Sequence, residues 1–493
     1  MRLVKPRRNT EIDLKKILSD FASFDLHLSC FEVLTVSLKK NDILDLDIID
    51  MTNLGFGVAK HEGQVVFISG AVIGEKIRTK IIKCGASFAV GRIENIVSPS
   101  PNRTESRCKN PLCKSCAYKC IDYSLELELK REAIVADFKK VGLDGVKIAP
   151  IVSSPASLGY RNKAQYPIAK SPAGDYIIGF FAPKSHRVTE AADCPLAPDS
   201  FEKILNTLRE FFKKNSISVY DEESGRGLLR HVYLRRGEIS GEVLLTLVIN
   251  GTTLPHSTEL AKIIQSEHPE IVGLLLNVNQ SKTNIILGDE WKILFGRDHI
   301  FDTLAGVRLK ITAPSFYQVN HDCAELLYAK AKELAAPTKS DTVLDLYCGA
   351  GSIGLSMAKD CRELIGIEIV ESAVECAKYN AEINGINNAA FYAGDAKGAE
   401  GLLDIAEAAR GERICPDIVI LDPPRAGCDE ALLSYIAASL SPKRIVYISC
   451  NPTTLARDMA ILAQLGFAGD TVTPVDMFPG TGHVESVVCL TRK

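Results

Sequence analysis

A chain of 493 residues, 46% apolar and 24% charged, is too long for one small module and too apolar for extended disorder, so two to four packed domains are expected. Its formal net charge of -3 supplies no overall field for nucleic acid, and any RNA or DNA contact must come from local basic patches. No apolar run approaches the roughly 18 residues of a membrane span, and the basic start MRLVKPRRNTEIDLKK lacks the apolar stretch of a secretory leader. The expectation is a cytoplasmic protein with no membrane partner. Its 15 cysteines then argue for a reducing compartment rather than a disulfide framework.

Residues 1–37 read as an amphipathic extension without a motif. Over 38–98 the pattern becomes short β-type runs broken by glycine (ILDLDIID, GVAKHEGQVVFISG, EKIRTKIIK, FAVGRIENIV), which predicts a small β-barrel of four or five strands. PSPNR at 99–103 reads as a linker. Cys108, Cys113, Cys116 and Cys120 follow it, and YSLELELKREAIVADFKKVG predicts a helix over 124–141. Residues 158–300 alternate strands and turns with one helix, 201–214, an α+β pattern. The densest basic feature lies there: Arg226, Arg230, His231, Tyr233, Arg235 and Arg236 suit either phosphate contacts with base stacking or a solvated edge strand. A grouped Cys108, Cys113 and Cys116 with a distant Cys194 suits a four-thiolate iron–sulfur or zinc site. The singly placed Cys361, Cys376 and Cys489 read as core or helix-face residues.

From 322 onward a helix (322–336) leads into regularly alternating strands and helices, the pattern of a doubly wound parallel sheet. Ligands bind such sheets beyond the carboxyl ends of the strands, and Tyr347, Glu368, Asp395, Asp422 and Cys450 all fall there. Gly349-Ala350-Gly351-Ser352-Ile353-Gly354 follows a strand and opens a helix, the setting in which a glycine loop admits a nucleotide. Glu368 is placed to accept from ribose hydroxyls, which does not separate NAD from S-adenosylmethionine. Asp395 could meet an adenine amino group. Asp422 is held by the prolines of DPPR, although the prolines could also mark a structural turn alone.

Cys450, in RIVYISCNPTTLARD, ends the fifth strand just before a helical stretch whose N–H groups would lower a thiol pKa; the bland alternative is an inert buried Cys. A hydride-transfer enzyme has no evident need for such a thiol. Glu485 starts the last strand and could serve as a general base, with His483 beside it; both could equally be surface or turn residues.

The set SFYQVN, VLDLYCGAGSIGL, GIEIV, DPPRAG, ISCNPTTLARD and GTGHVESV, in that order over 315–487, resembles the RNA uracil-5-methyltransferases of the RumA/TrmA type. It is most like the 23S rRNA enzymes with a TRAM domain and an iron–sulfur cluster. The resemblance implies an α/β chain in three parts after the extension: a TRAM/OB-like small β-barrel (38–98), a central α+β domain with an iron–sulfur site (99–310), and a C-terminal doubly wound Rossmann-like methyltransferase domain (311–493) on which helix 124–141 packs. It implies Cys450 as nucleophile and Glu485 as base. Gln318, Tyr347, Ser352, Glu368, Asp395 and Asp422 would hold S-adenosylmethionine, and Cys108, Cys113, Cys116 and Cys194 a [4Fe-4S] cluster. The chain departs from the family pattern in the first cysteine gap, four residues instead of five, and in the additional Cys120. The implied reaction is methylation of uracil C5 in RNA, 23S rRNA first, through a Cys450–C6 adduct, by a monomer that does not act on DNA. The alternatives are tRNA uracil-C5 methylation, RNA cytosine-C5 methylation (whose enzymes have a Pro-Cys pair where this chain has DPPRAG, with Cys428 farther on) and a non-catalytic RNA-binding or redox-sensing role.

Overall fold

The structure, a computed structural model, describes residues 38–493 except 107, 114, 183, 184, 192, 193 and 412; the extension expected over 1–37 lies outside the described residues. The chain divides into two compact units, one comprising most of the chain before residue 101 and the other nearly everything after it.

In the first unit, strands Ile43–Asp47, Asp50–Met51, Phe56–His61, Gln64–Ser69, Lys76–Cys84 and Phe88–Ser98 form one six-stranded sheet. The first of these stands at one end of the sheet and the second at the other, although only two residues separate them, so the two ends of the sheet meet. Alternation fills the interior. Ile77, Thr79 and Ile81 point into a core with Leu46, Val66, Ile68 and Ala89, while Arg78 faces solvent against Asp45 at 2.8 Å. Gly91 is required there, since a Cβ would lie 2.2 Å from the Thr79 methyl.

In the second unit, a seven-stranded sheet runs in the order Val188–Glu190, Tyr176–Phe181, Lys163–Lys170, Leu229–Arg236, Val243–Ile249, Ile271–Val278 and Glu290–Gly296. The helix Asp199–Lys214 covers it with Phe201, Leu205, Leu208 and Phe212. The structure corrects the edge-strand expectation for the basic run, and for Arg230 and Arg235 the phosphate-contact expectation as well. Leu229–Arg236 is an interior strand, hydrogen-bonded on both sides; its Arg230 and Arg235 are buried, while Arg236 at its end is half-buried and Arg226 before it is exposed. Arg230 donates to the carbonyls of Asn279 (2.6 Å) and Ser281 (2.9 Å) and lies over the Tyr220 ring. Arg235, 1% exposed, donates to the Tyr233 hydroxyl (2.8 Å) and the Ser315 carbonyl (2.6 Å). These guanidiniums tie loops to the sheet. Arg230→Ala is therefore expected to cost about 2–3 kcal/mol of stability by orphaning two carbonyls. It should leave RNA affinity of the folded protein within about twofold, because a buried guanidinium meets no phosphate. Thermal unfolding and filter binding check the pair.

The third sheet carries seven strands that we number within it: β1 (Thr342–Leu346), β2 (Glu363–Glu368), β3 (Ala389–Ala393), β4 (Ile418–Leu421), β5 (Arg444–Ser449), β6 (Thr471–Val475) and β7 (Glu485–Arg492). Their order is β3-β2-β1-β4-β5-β7-β6, with Lys147–Ile148 beyond β6 and Phe467–Ala468 beside β7. The first five are parallel, and β7 runs antiparallel to both β5 and β6. Both faces are covered, which is why the parallel strands are largely apolar, with Asp345 inside β1 as a buried acid. Val343, Ile418, Ile420, Val446 and Ile448 enter one core, and Leu344, Leu346, Val419, Leu421 and Ile445 the other. Strand order reverses between β1 and β4, the place where such sheets bind ligands. The predicted helices are found at Tyr123–Lys140, Asp199–Lys214 and His321–Ala335. The first of these packs on this sheet's helical layer through Ile134 and Phe138, in one core with Leu455 and Leu462. Among the described residues, no helix is long and apolar enough to cross a membrane.

Candidate active site

β1 ends because Tyr347 turns into the left-handed region, φ 71°, a conformation that costs a non-glycine residue of order 1 kcal/mol. Gly349 and Gly351 follow with φ of 54° and 82°. A Cβ on Gly349 would meet nothing within 4 Å, so there is open room over the loop. A Cβ on Gly354 would lie 2.8 Å from Asp345 Oδ2, the oxygen that accepts from the Gly354 N–H at 3.0 Å. The other Asp345 oxygen is buried without a partner. Burial, and then Asp422 and Glu368, push the Asp345 carboxyl up to about 8.

Around this loop stand the predicted residues. Glu368 closes β2 and accepts from the N–H groups of Gly349 (3.1 Å) and Val370 (2.8 Å). The Ser352 hydroxyl begins the next helix and bonds to the Tyr328 hydroxyl at 2.9 Å. Asp395, two residues beyond β3, caps a short turn by accepting from the Lys397 N–H at 3.0 Å. Gln318 is buried, and its backbone carbonyl accepts from the Asn162 amide at 2.8 Å. Asp422 directly follows β4. Tyr328 ties the group together electrostatically, its hydroxyl pushed up by burial and then by Asp422, Asp345 and Glu485.

The antiparallel pairing of β5 with β7 sets the chemistry. Ser449 stands opposite Ser486, so the next position puts Cys450 opposite Glu485. Glu485 is 3% exposed, its Oε2 has no partner, and burial followed by Asp422 pushes its carboxyl up to about 8, against the opposing pull of Arg425. Burial alone pushes Asp422 up to about 7. The Cys450 thiol is also pushed up, to about 11, by burial and then by Glu485 and Asp422, with Arg425 pulling it down. The sequence expectation of a thiol lowered by the following helix is overturned. The helix Pro452–Gln464 does begin two residues on, but burial and the two nearby carboxylates hold the thiol above its ordinary value. Three carboxyls held partly protonated in one place favour a positively charged ligand, whose arrival would return all three toward ionisation. His483 lies in the turn before β7, its ring edge-on to Phe478.

The sequence reading missed Asp345 and Arg425. The signal for Asp345 was present: an acid inside the otherwise apolar VLDLYC, one turn from a glycine loop. It also missed the clamp on the DPPRAG loop. Arg457 and Asp458 hold that loop from the following helix, Asp458 accepting from the Cys428 N–H (2.8 Å) and the Tyr447 hydroxyl (2.5 Å). Cys428 is buried behind this clamp.

Of the cysteines, the structure brings Cys108, Cys113, Cys116 and Cys194 within electrostatic reach. Cys116 is pushed up to about 12 by burial and then by Cys194, Cys113 and Cys108. Cys120 is half-buried. Among the described residues, however, no three His, Cys, Asp or Glu side chains are drawn into metal-ligating geometry, so the expected cluster site is a gathering of thiols rather than a formed cage. A cavity of about 170 Å³ touches Cys108, Cys116, Glu126 and Gly480.

The family profile described as tRNA (uracil-5-)-methyltransferase matches residues 122–493. An uncharacterized RNA methyltransferase of Clostridium acetobutylicum is 39% identical over 461 residues, covering 93% of this chain and 98% of that protein. A second, from Halalkalibacterium halodurans, is 38% identical over 460 residues, covering 92% and 98%. The crystal structure of Pyrococcus abyssi tRNA (uracil-54, C5)-methyltransferase in complex with S-adenosyl-L-homocysteine superposes with a TM-score of 0.72 at 27% identity, covering 91% of this chain and 100% of that one.

Proposed function

The chain belongs to the tRNA (uracil-5-)-methyltransferase family, and from that premise we propose that it methylates uracil C5 in RNA through a covalent bond between the Cys450 sulfur and uracil C6. The observation that carries this reading is the antiparallel register of β5 and β7, Ser449 opposite Ser486, with Glu485 and Asp422 acting electrostatically on Cys450 just past the end of β5. Uracil C5 is a poor nucleophile. Addition of the Cys450 thiolate to C6 places an electron pair on C5, which then forms the new carbon–carbon bond. When bound, S-adenosylmethionine would supply the methyl group as an electrophile, the sulfur–methyl bond breaking with its electron pair kept on sulfur as a neutral thioether. Glu485 next takes the proton from C5, the C5–C6 double bond re-forms, and Cys450 leaves as thiolate. The target base must be unstacked to reach a thiol at a strand end, so a loop or single-stranded region is the expected substrate.

Gln318, Tyr347, Ser352, Glu368, Asp395 and Asp422 are the residues that would hold the cofactor. The room over Gly349 and the orphaned Asp345 oxygen fit a ligand bearing hydroxyls and positive charge. The donor chemistry of Cys108, Cys113, Cys116 and Cys194 fits a [4Fe-4S] cluster, since soft thiolates select iron–sulfur or zinc. On this reading the RNA is 23S rRNA, favoured by that gathering of thiols and the six-stranded sheet before it, and the protein acts as a cytoplasmic monomer. The tRNA reading is favoured by the named activity of the Pyrococcus abyssi structure. Cytosine methylation is disfavoured because Cys428, the thiol after the fourth strand, is buried behind Asp458.

The test is nucleoside mass spectrometry of unmodified rRNA and tRNA, each treated separately with protein and S-adenosylmethionine. A gain of 5-methyluridine in rRNA is expected. A gain in tRNA alone would replace the substrate and keep the chemistry, and 5-methylcytidine would overturn the reaction.

A further inference from the structure

Glu485 opens β7 directly opposite Val475, the last residue of β6, so residues 476–484 form the connection that delivers it. This connection is tied at five successive carbonyls, each by an element from elsewhere in the chain. The Asp476 carbonyl accepts from the Cys323 thiol (3.2 Å), that of Met477 from the Asn320 amide (3.2 Å), and that of Phe478 from Lys130 Nζ (3.2 Å). The Pro479 carbonyl accepts from the Tyr160 hydroxyl (2.9 Å) and that of Gly480 from the Tyr118 N–H (3.0 Å). At its root lies an ion network with almost no exposure. Lys130 Nζ is 2.6 Å from Asp476 and 2.7 Å from Glu126, whose carboxylate accepts from the Gly480 N–H at 2.7 Å. The Tyr123 hydroxyl donates to the other Asp476 oxygen at 2.8 Å. A Cβ on Gly480 would be 4.0 Å from Cys116, so the cysteine segment also bears on the connection.

A buried ion network of this kind costs desolvation that apolar side chains would not, so stability alone is a weak reason for it, whereas a fixed geometry needs it. We infer that Lys130, Tyr123 and Glu126 are positioning residues for Glu485: the helix Tyr123–Lys140 and the cysteine segment before it hold the 476–484 connection so that the carboxylate meets the C5 proton. None of the three touches the reacting atoms. This inference rests on the proposed role of Glu485, and its signature is confined to one step. Making the Cys450–C6 bond does not need the base, and breaking it does.

The experiment follows single-turnover adduct formation and decay on in vitro transcripts of 23S rRNA and tRNA supplied together, using the full-length protein, Lys130→Met, Tyr123→Phe and Glu485→Gln. Adduct formation should stay within about twofold of wild type in Lys130→Met and Tyr123→Phe. Adduct decay should slow about tenfold or more in Lys130→Met and about threefold in Tyr123→Phe, as expected for a misplaced base. Tyr123→Phe keeps the ring and removes one hydroxyl, so it reports even where Lys130→Met does not fold. Decay at the wild-type rate in Tyr123→Phe, with adduct trapped by Glu485→Gln, overturns this inference alone. Absence of trapped adduct in Glu485→Gln overturns the role of Glu485 and this inference with it.

Discussion

Cys450→Ala is expected to lower methyl transfer by about 10⁴-fold or more, the usual scale for removing a covalent nucleophile. S-adenosylmethionine affinity should stay within about twofold, since alanine leaves untouched the glycine loop and strand-end carboxylates where the cofactor would sit. The effect is large because no neighbour can substitute: Cys428 is buried behind Asp458, and Cys348 is buried within the glycine loop. Titration calorimetry with the cofactor, beside turnover measured by 5-methyluridine formation, separates the two quantities. Turnover retained in Cys450→Ala would remove the thiol mechanism. Cys450→Ser should be nearly as inactive, because an alkoxide is far harder to form than a thiolate in a site that already pushes the thiol up to about 11. The same burial predicts that adduct formation in the wild-type protein rises with pH across the whole range in which it stays folded.

Glu485→Gln is the second large effect. Glutamine cannot accept the C5 proton, so adduct should form and persist, visible as protein–RNA complex on a denaturing gel, with turnover reduced by about 10²–10⁴-fold. In the wild type, decay of the adduct should rise with pH and level off above about 8, where the carboxyl ionises. Stability takes the opposite sign. The folded carboxyl stands at about 8 against an ordinary 4.5, so between those values the folded state holds a proton that the unfolded state has released. Its contribution to stability is therefore fully present below about 4.5 and is lost as pH rises through about 8. Glu485→Gln should match the wild type in thermal stability near pH 5 and exceed it at pH 9. Unfolding scans at the two values check this, and equal stability at both would mean that the carboxyl is not desolvated. Asp345, pushed up to about 8, adds to the same slope. The site thus holds carboxyls that cost stability at the pH where the reaction needs them ionised.

Much of this site could be read from the chain alone because its signals are local. The residues that end β1, β2, β4 and β5 follow apolar runs of strand length, and GAGSIG follows the first of them, so their convergence at one edge needs only the rule that parallel strands share a direction. Helix boundaries were legible within two residues for the same reason, since caps and periodicity are written in neighbouring positions. Two readings failed where the outcome depended on distant partners. Arg230 and Arg235 look like a nucleic-acid surface until the strand that carries them is placed between Lys163–Lys170 and Val243–Ile249. Cys450 looks activated by a helix until Glu485 and Asp422 are set beside it.

Composition, period and turn chemistry thus determined which segments become strands and helices, which residues end them, and the kind of reaction they suit. Only the tertiary structure decided that β7 inserts antiparallel beside β5, bringing Glu485 opposite Cys450. Only it decided that Lys130 and Glu126, an ordinary surface pair by spacing, are buried against Asp476, 346 residues away from the lysine. The physical reason is that pairing across a sheet and desolvation both belong to the environment of a residue. That environment is assembled from chain segments whose mutual approach no local pattern encodes.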